Sequence, residues 1–388
     1  MKIPTPFAFD LLTPKRIVFG WGRRRELGDM IASLGTRCFI VLGSRTLLHH
    51  ELFNSIQNSL EATGITTNTP ELIGREPHVS DVDQAVQRAR IWKADVVLGI
   101  GGGAALDLAK AVAALTPQTT PASVSDYLEG VGRELSLSKQ PLPNLLMPTT
   151  AGTGSEATKN AVISSPQAQF KKSLRADSML TDVALVDPEL TVTTSPNVTL
   201  HSGMDALTQC VESYLSCRAT VVTRTLALEG FHHAWTALPL VMQNPGLRTA
   251  REAMSYAALL SGISLANSGL GMAHGVAAAL GIHAAIPHGL ACAIMLPVAL
   301  QVNLTSARDN LNQLDAARGD VNTSSAESLL EAIRALSRSM GLPERLRDID
   351  VKRDQLAAIA ASSGGNSMRG NPREITDAEL RDILHRAW

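Results

Sequence analysis

Residues 94–115, ADVVLGIGGGAALDLAKAVAAL, decide the fold. Residues 94–100 form an apolar, β-branched run with the length of a buried strand. Gly101-Gly102-Gly103 ends the run, and residues 104–115 have the composition of a strong helix. A strand that ends in glycines and opens a helix presents free N–H groups at the helix start, a place suited to an anion. The acid expected about 20 residues after a dinucleotide-binding turn is missing, because Thr119 and Thr120 stand there. The turn alone leaves two readings open, a phosphate cradle or a plain strand-to-helix connection.

The same pattern repeats on both sides. Residues 38–42 (CFIVL) make a second apolar strand, followed by Gly43-Ser44-Arg45 and a helical pattern over 52–63. Residues 81–92 have helical spacing, and 142–147 (LPNLLM) lead into a second glycine- and hydroxyl-rich loop at 149–156. Strands separated by 10–15-residue helical patterns predict a parallel, doubly wound sheet. Beyond about Pro196 β-branched runs become rare. Helical periods then dominate, at 204–215, 222–238, 249–266, 272–280, 290–302, 326–340 and 354–361. The expected architecture is an α/β N-terminal dinucleotide-binding domain with a parallel sheet over 1–190. An all-α C-terminal domain follows over 191–388.

Composition narrows the function. Of 388 residues, 35 are basic and 36 acidic, so a nucleic-acid partner held by bulk charge is excluded. Aromatics are 4%, too few for a base-stacking platform. The hydrophobic share of 45% with net charge −1 excludes global disorder. Cys38, Cys210, Cys217 and Cys292 are scattered without a CxxC pair, which suits a reducing, cytoplasmic setting. Residues 1–10 carry two prolines and no apolar core, unlike a signal peptide. The most apolar stretches, 96–115 and 259–286, are broken before the ~20 residues a membrane helix needs. No membrane partner is expected.

Two glycine- and hydroxyl-rich loops at strand ends point to one nucleotide between them. After the strand at 38–42, where an acid would bind a ribose, Gly43 and Ser44 stand with Arg45. That leans toward NADP over NAD, although an ordinary exposed turn has the same composition. Asp205 and Gln209 are four apart and share a helix face. His274 lies in a small-sided apolar segment, and His288 sits between Pro287 and Gly289. Fourteen residues of unbroken helix would part the two histidines by ~21 Å, so the chain must turn back, with Gly281 and Pro287 as breaks. Asp205, Gln209, His274 and His288 together suit a divalent first-row ion. By spacing alone they equally suit a satisfied core histidine and a helix-end carboxylate.

Several motifs then occur in one order: Gly101-Gly102-Gly103 with Asp107 and Lys110, PTTAGTGSEAT at 148–158, DPEL at 187–190, SGMDALTQ at 202–209, the pair His274 and His288, and MRGNPREIT at 368–376. Over nearly the whole chain this resembles the iron-containing (group III) alcohol dehydrogenase family, nearest its maleylacetate reductase-like branch. The resemblance implies an NAD(P)-dependent oxidoreductase, assisted by a divalent metal, Fe2+ or Zn2+, that acts on a small alcohol or aldehyde. It also implies a homodimer or larger homo-oligomer.

Carried onto this chain, the resemblance implies that Gly101, Gly102 and Gly103 bind the pyrophosphate, and that Thr149, Thr150 and Thr153 lie near the nicotinamide half. Asp205, His274 and His288 match metal ligands. The second ligand, usually histidine, is Gln209, a neutral and weaker donor. The family histidine four residues after the third ligand is Ala278, and the serine after the glycine triplet is Ala104. The acid that favours NAD is Gly43, which supports NADP. Proton transfer falls to His288 or His283. Two rivals remain open, a lyase resembling dehydroquinate synthase and a nucleotide-binding protein that has lost catalysis.

Overall fold

The computed structural model describes residues 8–43, 45–120, 122–319 and 324–388. Ser44 lies outside the described residues. The chain forms two compact units. One is Leu12–Ser195; the other is Pro196–Trp388 together with residues 8–11.

Among the described residues the first unit has nine strands: β1 (Arg16–Phe19), β2 (Arg37–Leu42), β3 (Thr66–Thr67), β4 (Glu71–Leu72), β5 (Val96–Gly101), β6 (Asn144–Pro148), β7 (Asn160–Ser165), β8 (Phe170–Arg175) and β9 (Val183–Val186). Its helices are α1 (Leu27–Ala32), α2 (Arg45–Leu48), α3 (Glu51–Ala62), α4 (Val79–Trp92) and α5 (Gly103–Leu115). Seven strands form one parallel sheet in the order β1-β9-β6-β5-β2-β3, with β4 also paired to β2. Alternation along the strands builds a core on each face. Cys38, Ile40 and Leu42 pack with Phe53, Ile56 and Leu60 of α3, whereas Phe39 and Val41 pack with helices α4 and α5. From β2 the chain runs to β3 at one edge, then returns to place β5 on the other side of β2. The carboxyl ends of β2 and β5 therefore flank a topological switch point, where open α/β sheets bind ligands.

Three departures from expectation have clear causes. β1 and β9 are four-residue strands, too short to carry a period of their own. β7 and β8 form a separate antiparallel hairpin whose residues are mostly half-buried and polar. Lys171-Lys172, which in sequence looks like a solvated loop pair, belongs to this hairpin, and Lys171 pairs with Glu76.

A fully buried lysine ties α5 to the loop after β6. Lys110 Nζ donates to Ser155 O and Thr158 Oγ1, each at 2.8 Å, and to Asn160 O, and it lies 3.3 Å from Asp107 Oδ1. Asp107 in turn accepts from Ser155 Oγ and from Val162 N at 3.0 Å. Removing one member of such a network leaves a buried charge uncompensated.

The second unit contains helices α6 (Pro196–Leu215), α7 (Val221–Gln243), α8 (Arg248–Ser268), α9 (Met272–Ala284), α10 (His288–Asn303), α11 (Arg308–Ala316), α12 (Ala326–Ser339), α13 (Leu356–Ser362) and α14 (Asp377–Ala387). It has no strand among the described residues. α6 begins eight residues earlier than its apolar period suggests, opened by Pro196, which fits the first helical position. α6, α7 and α8 pack on one another, and α9 packs on α10. The break between α9 and α10 falls at Ala285, whose left-handed φ of 54° ends α9, and at Pro287; Gly281 stays inside the helix. Among the described residues no single helix is long and apolar enough to cross a membrane.

Lys110→Met is expected to lower the unfolding free energy of the sheet unit by about 3–5 kcal/mol, as loss of one member of a buried ion pair does. Urea unfolding followed by circular dichroism measures it, and an unchanged midpoint would contradict the tie described.

Candidate functional site

At the switch point the predicted dinucleotide residues come together, apart from Ser44, which is not described. Gly43 N donates to Ile100 O at 2.8 Å, and a side chain at Gly43 would place its Cβ 3.0 Å from Gly101 Cα. Gly101 has φ +155°, and a Cβ there would fall 2.7 Å from Ala105 Cβ. Thr149 N donates to Gly101 O at 2.9 Å. A Cβ at Gly102 would lie 3.4 Å from Thr150 Oγ1, and one at Gly103 3.0 Å from Thr153 Oγ1. Gly102 caps the N-terminus of α5 in an extended conformation, so the helix's first N–H groups face the same place as the threonine hydroxyls.

The helical unit assembles a second constellation. Asp205 on α6, His274 on α9, and His288 and Cys292 on α10 each offer a ligand atom, and these atoms lie within 4.8 Å of one another. His274 Nε2 is 3.1 Å from Asp205 Oδ1, and His288 Nε2 is 3.8 Å from the same oxygen. The two imidazole centroids are 5.5 Å apart. Asp205, His274 and Cys292 are buried, whereas the His288 side chain is 32% exposed, so the group opens to solvent on the His288 side.

One carboxylate holds this arrangement from behind. Glu212, seven residues after Asp205 on α6, accepts from Ala273 N at 2.6 Å, His274 N at 3.3 Å and His274 Nδ1 at 2.7 Å. It thereby satisfies the N-terminus of α9 and fixes the His274 ring together. Gly271 permits the approach, because a Cβ there would lie 2.8 Å from Glu212 Oε1. Asn371, from the MRGNPREIT stretch, accepts from Met272 N at 3.3 Å and is locked by paired hydrogen bonds to Asn303.

Burial opposes ionisation of Asp205, but the His274 hydrogen bond and the charges of His288 and His274 outweigh it, so its pKa lies below the ordinary carboxylate value. Burial likewise disfavours the His274 imidazolium, and the acidic side chains around it, Cys292, Asp205 and Glu212, win and raise its pKa well above 6.5. Burial pushes the Cys292 thiol up to about 12.

Two further sequence candidates, Gln209 and His283, have hydrogen-bond partners of their own. Gln209 is buried on α6, and the carbonyl oxygen that would ligate accepts from Ser261 Oγ at 2.7 Å. His283 is nine residues along α9 from His274, some ~14 Å by helix rise, and pairs with Ser362 Oγ at 2.7 Å. Sequence reading passed over Cys292 and Glu212. Both carry a signal: Cys292 is four residues after His288, and Glu212 is two turns after Asp205.

Comparison with known proteins now decides the family. The model for Iron-containing alcohol dehydrogenase matches residues 14–188, and that for Fe-containing alcohol dehydrogenase family, C-terminal, matches 199–388. The chain belongs to the iron-containing alcohol dehydrogenase family. Its members are oxidoreductases acting on CH–OH groups. The chain is 31% identical to Long-chain-alcohol dehydrogenase 1 of Geobacillus thermodenitrificans (strain NG80-2), over 96% of each protein. It is 28% identical to Lactaldehyde reductase of Escherichia coli (strain K12), over 95% of this chain and 97% of that one. Among solved structures, sulfoacetaldehyde reductase from Bifidobacterium kashiwanohense in complex with NAD+ superposes with TM-score 0.88 at 27% identity, covering 98% and 99% of the two chains.

Glu212→Ala leaves three buried donors around His274 without their acceptor and is expected to cost about 2–5 kcal/mol in the helical unit, with Glu212→Gln milder. Urea titration of the helical circular-dichroism signal measures both, and equal losses in the two variants would contradict the role of the carboxylate charge.

Proposed function

We propose that this family member transfers a hydride reversibly between a nicotinamide dinucleotide and a small alcohol or aldehyde, with a divalent metal at Asp205, His274 and His288. The observation that carries this reading is the convergence of one carboxylate oxygen and two imidazole nitrogens from three helices. The donors fit a first-row divalent ion by chemistry and by count, with room for a further ligand. When bound, the metal supplies Lewis acidity toward the reacting oxygen, and the dinucleotide supplies the hydride.

The chain's own residues do the positioning. Glu212 accepts the Nδ1 proton of His274, so Nε2, which in the free site donates to Asp205, is the nitrogen that would lose its proton and offer its lone pair when a metal binds. Asp205 remains ionised in its buried place and contributes a negative charge. His288, the exposed member, stands where a small substrate arrives and where a proton reaches solvent. His283 is left out of the set, because it lies ~14 Å along α9 from His274, whereas Gln209, one turn from Asp205, stays a neutral candidate donor whose oxygen also accepts from Ser261 Oγ. Around the switch point, the first N–H groups of α5 and the glycines 101–103 hold the pyrophosphate, with Thr149, Thr150 and Thr153 beside it.

The absence of an acid at Gly43 favours NADP(H), since a carboxylate there repels a 2′-phosphate. Three buried free thiols suit a reducing cytoplasm. The relative named for lactaldehyde supports a small alcohol or aldehyde as substrate.

The test is a panel of small aldehydes with NADPH, followed at 340 nm. Net oxidation is expected, is removed by metal depletion and returns with added metal. A lyase that only borrows its cofactor shows no net change. Asp205→Ala should lower kcat/KM by about 10³-fold or more, the scale of several kcal/mol of lost oxygen stabilisation, with NADPH affinity little changed. Full turnover in metal-free protein contradicts the reading. Calorimetric titration should find NADPH bound about tenfold or more tighter than NADH, the worth of one charge-assisted hydrogen bond. Equal or tighter NADH binding contradicts the NADP(H) preference.

A further inference from the structure

We propose that Cys292 is a metal ligand, which makes the centre a carboxylate–imidazole–imidazole–thiolate set that selects Zn2+ over Fe2+. The inference rests on the metal reading above and adds to it the fourth donor and the ion.

Geometry comes first. Cys292 follows His288 by one turn of α10, so their side chains share a face. Its Sγ is 3.8 Å from His288 Nε2, and it lies within 4.8 Å of the ligand atoms of Asp205 and His274. With metal–nitrogen and metal–oxygen bonds of ~2.0–2.2 Å and a metal–sulfur bond of ~2.3 Å, donors at the corners of a tetrahedron stand about 3.3–3.7 Å apart. Asp205–His274 at 3.1 Å, Asp205–His288 at 3.8 Å and His288–Cys292 at 3.8 Å lie close to that range, and every other pair of the four donors is within 4.8 Å. Small adjustments of four side chains bring the donors into one resting set, and the exposed His288 side leaves room for the reacting oxygen to add as a fifth ligand.

Chemistry points the same way. The family's second ligand position holds Gln209, whose carbonyl oxygen is engaged by Ser261. Asp205 with a Cys292 thiolate balances the two charges of the ion among its direct donors, whereas a neutral amide in place of the thiolate leaves that balance to Glu212 behind His274. On binding, the Cys292 sulfur–hydrogen bond gives way to a sulfur–metal bond and the proton passes to solvent. A thiolate with two imidazoles and one carboxylate is a soft, four-coordinate set that suits Zn2+ or its cobalt substitute. Iron(II) sites of oxygen and nitrogen donors have no such sulfur.

Metal-stripped full-length protein titrated with Co2+ tests the proposal without reference to turnover. The expected result is a near-ultraviolet thiolate-to-cobalt charge-transfer band together with the strong visible bands of four-coordinate cobalt. Cys292→Ser should abolish the first, keep cobalt bound, and weaken Zn2+ in a chelator competition by at least about tenfold. Gln209→Ala should keep the charge-transfer band. Visible cobalt bands without the charge-transfer band in the unmodified protein overturn the cysteine ligand and leave the metal reading standing. No cobalt uptake overturns both. A charge-transfer band that persists in Cys292→Ser assigns the sulfur to another cysteine and overturns the proposal. Should Cys292→Ser fail to fold, X-ray absorption of the zinc-loaded unmodified protein decides: one sulfur at ~2.3 Å supports the assignment, and a shell of only light atoms refutes it.

Discussion

The buried carboxylate of Glu212 is the interaction on which the helical site depends. A carboxylate out of water must be compensated, and Glu212 takes its compensation from two backbone N–H groups and one imidazole N–H at the start of α9. Those three bonds orient His274 toward Asp205. Asp205 in turn stays ionised because two imidazoles face it. A chain of buried charges thus runs from α6 through α9 to α10, each satisfied by the next. The Asn303–Asn371 pair secures the same helix end, which gives the NPRE stretch a structural task in the helical unit.

The sheet unit solves a parallel problem with backbone groups. Its anion site is made from a glycine turn and a helix N-terminus, with little charge on the protein side. The near-balance of 35 basic and 36 acidic residues is consistent with that economy. Lys110 is the exception, a fully buried cation spent on holding α5 against the loop that carries Thr149, Thr150 and Thr153. Rigid support for a binding loop is a reason to bury a charge that packing alone would expel.

Much of this was legible in the residues. Buried parallel strands are continuous apolar runs, so β2, β5 and β6 were visible, and so were the long helices beyond Pro196, whose apolar faces recur at helical spacing. β1, β9 and the β7–β8 hairpin were not, because four-residue or polar strands lack a period of their own. Asp205, His274 and His288 could be read because the resemblance supplied them. Their convergence requires a chain reversal that Pro287 announces, but the place where α9 ends could not be read, because it depends on a left-handed alanine at position 285, a conformation no residue preference announces. Gln209 draws attention by its place in a motif, while Cys292, a turn from His288, stands in the sequence only as one of four scattered cysteines. Only the fold shows that Cys292 faces Asp205, His274 and His288.

The central claim is that one divalent ion sits among Asp205, His274 and His288. Anomalous diffraction from crystals grown with Zn2+ or Co2+, collected on both sides of the metal edge, tests it most directly. The account predicts a single strong peak within bonding distance of Asp205 Oδ1 and the Nε2 atoms of His274 and His288. No peak there, or one placed on other residues, would contradict it.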